Sequence, residues 1–141
     1  MRIAVVDGQG GGIGKAIVEK LRSELGENIE VIVLGTNALA TSVMLKAGAN
    51  EGASGENAIV VNALKADIIV GSVAIIAANS MLGELTPSMA QAIAESNAKK
   101  ILLPLNRCNL YVVGIKPEPL PHYVDEAVNF IKDLLEGKKN V

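Results

Sequence analysis

Val5–Ile17 reads VVDGQGGGIGKAI: an apolar run, then five glycines within Gly8–Gly14, then the opening of a helix. Arg2–Asp7 (RIAVVD) is short, apolar and closed by glycine, which predicts a buried strand. Ile17, Val18, Leu21 and Leu25 then recur at helical spacing, with Lys15, Glu19, Lys20 and Arg22 left to face water. The helix is predicted to begin near Gly12–Gly14 and to be capped by Gly26. A strand delivered through glycines to a helix N-terminus is how α/β sheets begin, and the rest of the chain extends that unit.

Ile29–Leu34 (IEVIVL) predicts the second strand, closed by Gly35. Thr36-Asn37 caps a short helix, Ala38–Ala47, and a polar loop, Asn50–Gly55 (NEGASG), leads to another, Glu56–Lys65. Neither helix carries the charged outer face of a surface helix, so each is covered by another subunit or borders a ligand. Asp67–Gly71 is the third predicted strand, and the structure of the connection Ser72–Leu82 is not legible. Thr86-Pro87 starts a helix with Met89, Ala92, Ile93 and Ser96 on one face. Lys100–Leu105 (KILLPL) predicts strand four, Asn106–Asn109 a turn, and Leu110–Ile115 (LYVVGI) a fifth strand, antiparallel because the connection is so short. After the bend Pro117–Pro121, Val124, Ala127, Val128, Ile131, Leu134 and Leu135 mark the last helix, and Gly137 closes it. The pattern predicts one α/β domain over residues 1–141: a three-layer Rossmann-like or flavodoxin-like sandwich around a mostly parallel five-stranded sheet.

Composition narrows the function classes. Half of the 141 residues are hydrophobic, yet there is no Trp, one Phe and two Tyr, so the core is aliphatic. The net charge of −2, without a Lys/Arg cluster, argues against a nucleic-acid partner. One Cys (Cys108) and one His (His122) leave no disulfide and no zinc pattern, and no metal site is predicted. No charged segment precedes an apolar one at the start, and the longest low-charge stretch, Ile68–Leu82, is too short and polar to span a membrane. The expectation is a cytoplasmic protein with no membrane partner.

Glycines let backbone amides approach a ligand, and a helix N-terminus adds an electropositive end, so Gly8–Lys15 is expected to receive an anion, most often a phosphate. The alternative is that the glycines serve only a tight turn and close packing. The dinucleotide pattern GxGxxG fails at Ile13 when started from Gly8, and at Lys15 when started from Gly10. The P-loop fails at Gln9 and again at Ala16, where the magnesium-binding hydroxyl should stand. Gly8, Gly12 and Gly14, with Ile13 between the last two, resemble the TGxxxGIG opening of short-chain dehydrogenases, with Asp7 in place of Thr. That likeness brings no hydride-transfer site, because Tyr111 and Tyr123 are followed four residues later by Ile115 and Ala127 instead of Lys. The acidic residue that would grip an adenosine ribose after strand two is replaced by Gly35-Thr36-Asn37.

Taken together, DGQGGGIGKAIVEKL, LGTNALATSVMLKAGAN, GENAIVVNA, NSMLGELTP and LPLNRC resemble, in order, an uncharacterised bacterial domain family of about this length. The resemblance implies one domain and brings no activity or catalytic residue.

The expected site is therefore Asp7, Gly8, Gln9, Gly10, Gly11, Gly12, Ile13, Gly14 and Lys15, assisted by Thr36, Asn37 and Arg107. The expected ligand is NAD(P), another nucleotide or a different phosphate-bearing small molecule. Asp7 either binds a sugar hydroxyl or cation, or caps loop amides. Thr36 and Asn37 are helix caps or ligand contacts, and Arg107 is a second anion contact or a solvated residue. Asn79, Ser80 and Glu84 are polar residues in an apolar connection that forms a lid or a plain loop. No acid–base pair stands out, so no reaction is assigned. The uncharged helices lead to a homo-oligomer, a dimer first, and to a second reading: an oligomeric structural or regulatory protein without catalysis.

Overall fold

A computed structural model describes residues 1–105 and 109–137. The opening run forms strand β1 (Arg2–Asp7), and the chain continues through helix α1 (Gly12–Leu25), β2 (Glu30–Gly35), α2 (Ala38–Lys46), β3 (Glu51–Ser54) and α3 (Glu56–Ala63). It then runs through β4 (Ile68–Ser72), a 3-10 turn (Val73–Ile76), α4 (Pro87–Glu95), β5 (Lys99–Leu103) and α5 (Leu120–Leu135). The strands form one sheet in the order β3-β2-β1-β4-β5, and every pairing is parallel.

Alternation along the strands divides the core into two layers. Ile3, Val5, Val31, Val33 and Val70 face α1 and α5, packing on Ile17, Leu21, Val124, Val128 and Ile131. Ala4, Val6, Ile32, Leu34 and Ile69 face α3 and α4, packing on Ile59, Ala63, Met89 and Ile93. The sandwich is therefore α/β/α. The caps follow local chemistry: the Asn37 side chain accepts from Ala40 N at 2.8 Å, and Thr86 Oγ1 accepts from Met89 N at 3.2 Å, just before Pro87.

Three expectations are corrected. The fifth strand is not Leu110–Ile115, and no antiparallel edge is seen among the described residues; 110–115 is a strandless arm. Its β-forming residues lack a ladder partner within the described chain, and propensity alone does not make a strand. The fifth strand is instead Glu51–Ser54, inside the stretch expected to be a loop. It has no apolar alternation of its own and is recruited by β2, with Ile32 opposite Glu51 and Gly35 opposite Ser54. Arg22, expected to face water, instead donates to the carbonyls of Gly48, Gly26 and Ile29 and to Asn50 Oδ1. Arg107 and Cys108 lie outside the described residues.

Candidate functional site

The chain crosses the sheet between β3 and β4, so the strand order reverses between β1 and β4. Ligands of such sheets lie beyond the strand carboxyl ends at that point. A cavity of about 330 Å³ opens there, lined by Asp7 and the loop Gly8–Ile13 from β1, Ser72 and Ala74 after β4, and Met81, Leu82 and Leu120. The mouth expected to receive a ligand is open.

The five glycines do two different jobs. A Cβ on Gly8 would lie 2.6 Å from Met81 Sδ and Thr36 Oγ1, and one on Gly14 would lie 2.8 Å from Met44 Cγ. Gly11 turns at φ +76° with the backbone of Ala40 2.9 Å from where its Cβ would stand. These three permit the turn and the packing. Gly10 and Gly12 meet nothing within 4 Å and line the cavity. Packing accounts for Gly8, Gly11 and Gly14 and leaves Gly10 and Gly12 unexplained.

The backbone amides divide in the same way. Asp7, 5% exposed, receives Gly8 N on Oδ1 and Gly14 N on Oδ2, both at 2.8 Å. It is thus a cap on the loop and the helix start. Gly11 N donates to Gly8 O, Lys15 N to Gly11 O, and Gln9 N to Glu84 Oε1. The amides of Gly10, Gly12 and Ile13 have no hydrogen-bond partner among the described residues. Three donors at a helix N-terminus, on the wall of a cavity, form the part of the loop able to hold an oxyanion.

Glu84 is the site residue whose role the sequence left open. Its Oε1 accepts from Gln9 N at 2.8 Å, Thr36 Oγ1 at 2.7 Å and Asn37 Nδ2 at 2.8 Å. Asn37 Nδ2 also donates to Gln9 O at 3.0 Å. These donors, the Thr36 hydroxyl first, hold the Glu84 carboxyl below the usual carboxylate range against the opposing effect of partial burial. Glu84 thereby fastens the connection after β4 onto the loop after β1. That connection is a compact turn: Asn79 N donates to Leu85 O, Leu85 N to Ser80 O, and Ser80 Oγ to Ala74 O. Asn79, Met81 and Leu82 all adopt left-handed φ, and Leu82 at its tip is 98% exposed. The polar connection is a latched flap over one side of the cavity.

Thr36 and Asn37 therefore face a carboxylate of the chain. Gly35, at the end of β2, has no room for a side chain, since a Cβ there would lie 2.7 Å from Thr41 N. Lys15 points along the exposed face of α1, its Nζ 3.9 Å from Glu19, and does not line the cavity. Among the described residues no helix is long and apolar enough to cross a membrane, and no cluster of three His, Cys, Asp or Glu could hold a metal.

No curated protein sequence matches the chain. Among solved structures it is similar to a dodecameric FMN-dependent Ubix-like decarboxylase from Escherichia coli O157:H7, at 12% identity and a TM-score of 0.46 over 96% of this chain and 95% of that one. Residues 2–136 match the family described as Domain of unknown function (DUF3842), and the chain belongs to that family.

Proposed function

We propose that the protein binds a phosphate-bearing small molecule of mononucleotide size or less, its phosphate seated on the amides of Gly10, Gly12 and Ile13. The observation that carries this reading is the set of three amides with no hydrogen-bond partner among the described residues, on the wall of the cavity at the sheet's reversal point. Asp7 and Glu84 act on the loop from behind, fixing Gly8, Gln9 and Gly14 so that the remaining amides are held in place before a ligand arrives. Their two carboxylates favour a ligand of low charge over a triphosphate.

The size of the cavity, and the engagement of Glu84 by Gln9, Thr36 and Asn37 instead of by a ligand, favour such a ligand over NAD(P). Ser72 Oγ, on the same wall, accepts from Ala74 N at 3.2 Å, which leaves its proton to donate. Thermal melts with nucleoside monophosphates, sugar phosphates and NAD(P) test the reading. A monophosphate at about 100 times its Kd adds about 2.7 kcal/mol, a visible rise in Tm, and Gly12→Ala abolishes it. No rise with any monophosphate, or an undiminished rise in Gly12→Ala, overturns the assignment.

A further inference from the structure

The two edges of the sheet differ in kind. β3, at one edge, is four residues of EGAS, short and polar, which discourages pairing with another chain. β5 (KKILL) pairs with β4 on one side and, among the described residues, with no strand on the other. Its open side faces an apolar groove of about 520 Å³ between Ile101–Leu103, the arm residues Val112 and Ile115, and Phe130 of α5. The arm is a strand-forming sequence without a ladder. Tyr111 is 76% exposed and Val113 97%, a concentration of large apolar side chains that water disfavours. Its far end is fixed: Tyr123 Oη donates to Lys116 O at 2.8 Å and accepts from Glu118 N at 3.1 Å.

We propose that the arm Leu110–Ile115, the free edge of β5 and the groove between them form a homotypic interface, where a second copy lays its arm along β5. The occupant follows from complementarity. The edge takes an apolar segment in extended form, and the chain carries a β-forming one beside that edge that within one copy turns at Val113–Gly114 instead of pairing, so a two-fold exchange in which that turn opens covers both at once. The charges around the groove, Lys116 with Glu118 and Glu126, are of both signs, which suits a rotated copy of the same rim and offers no basic surface to a lipid or nucleic acid. Val73 lines the groove while its neighbours Ser72 and Ala74 line the glycine-loop cavity, so the two cavities flank the same few residues after β4.

Sedimentation velocity on the full chain tests the interface without any ligand, so its result is independent of the phosphate reading. The wild type is expected to be a dimer or larger. Val113→Glu and Tyr111→Lys each weaken assembly at least about tenfold while keeping the wild-type circular dichroism, since neither position is packed within one chain. Leu64→Glu, 74% exposed immediately after α3 and away from the arm, leaves assembly unchanged. A wild-type monomer at about 100 µM overturns the proposal, whether or not another protein co-purifies on the arm. So does full assembly of folded Val113→Glu or Tyr111→Lys, or dissociation by Leu64→Glu alone; if one arm variant fails to fold, the other decides.

Discussion

Glu84 Oε1 accepts a hydrogen bond from the backbone amide of Gln9, 75 residues earlier in the chain, at 2.8 Å. This contact makes the glycine loop a two-sided structure: β1 supplies the amides, and the connection after β4 supplies the carboxylate that holds one of them. Asp7 and Glu84 take up the amides of Gly8, Gln9 and Gly14, while Gly10, Gly12 and Ile13 line the cavity. A carboxylate imported from a distant loop also stands where Gly35 has no room for one.

Removing that carboxylate has a pH signature. The folded pKa of Glu84 is depressed, so its contribution to stability is present above the ordinary carboxylate range and disappears as pH falls through the lower folded value. Glu84→Ala removes the acceptor of Gln9 N and Thr36 Oγ1 and one of the two acceptors of Asn37 Nδ2, and is expected to lose about 1–2 kcal/mol at neutral pH, discounted for partial exposure. Melts of both proteins from neutral pH down to about pH 3 should show the gap closing on acidification. A gap that does not narrow removes the carboxylate's charge from the account.

Adjacent glycines should respond in opposite ways. Gly11→Ala forces a side chain into φ +76° with its Cβ 2.9 Å from the Ala40 backbone, and is expected to lose about 1–3 kcal/mol. Gly12→Ala meets nothing within 4 Å in ordinary helical backbone, and should hold stability or gain about 0.4–1 kcal/mol. Denaturant midpoints compare them directly. Equal losses in both variants would mean that the loop is packed throughout and has no open wall.

The sequence made the first βα unit legible because all its signals agree: an apolar strand, glycines, then an amphipathic helix. It misled at both edges of the sheet. β3 has no strand pattern to read, and even its Gly52 is required by the neighbour, since a Cβ would lie 2.9 Å from Val33 Cγ2. The arm 110–115 has the pattern and lacks the partner. The site was half legible for the same reason. Loop glycines announce themselves locally, whereas Glu84 acquires its role only when a flap with three left-handed residues brings it across the sheet.

Gly35 tests why the dinucleotide pattern is broken here. Gly35→Ala places a Cβ 2.7 Å from Thr41 N, an atom of the α2 backbone that cannot rotate away. The expected loss is about 1–3 kcal/mol, with no gain in NAD(P) response for Gly35→Asp. A stable Gly35→Asp protein that acquires NAD(P) binding would show that the end of β2 is free to accept a ribose.

Arg22 ties the C-terminal end of α1 to the approach to β3. Its Nε donates to Gly48 O at 2.6 Å, one terminal nitrogen to Gly26 O and Ile29 O at 3.0 Å, and the other to Asn50 Oδ1 at 2.6 Å. Asn50 Oδ1 in turn accepts from Val31 N at 2.8 Å, so the guanidinium sets the register in which the chain enters the edge strand. A lysine is a point charge on a flexible stem and cannot span these acceptors. Arg22→Ala is expected to lose about 1–2 kcal/mol, and Arg22→Lys to recover less than half of that. Hydrogen exchange gives the sharper reading: amides of Glu51–Ser54 should lose protection in both variants while those of β1 keep theirs. Uniform loss across the sheet would mean that Arg22 contributes to global stability without acting on β3.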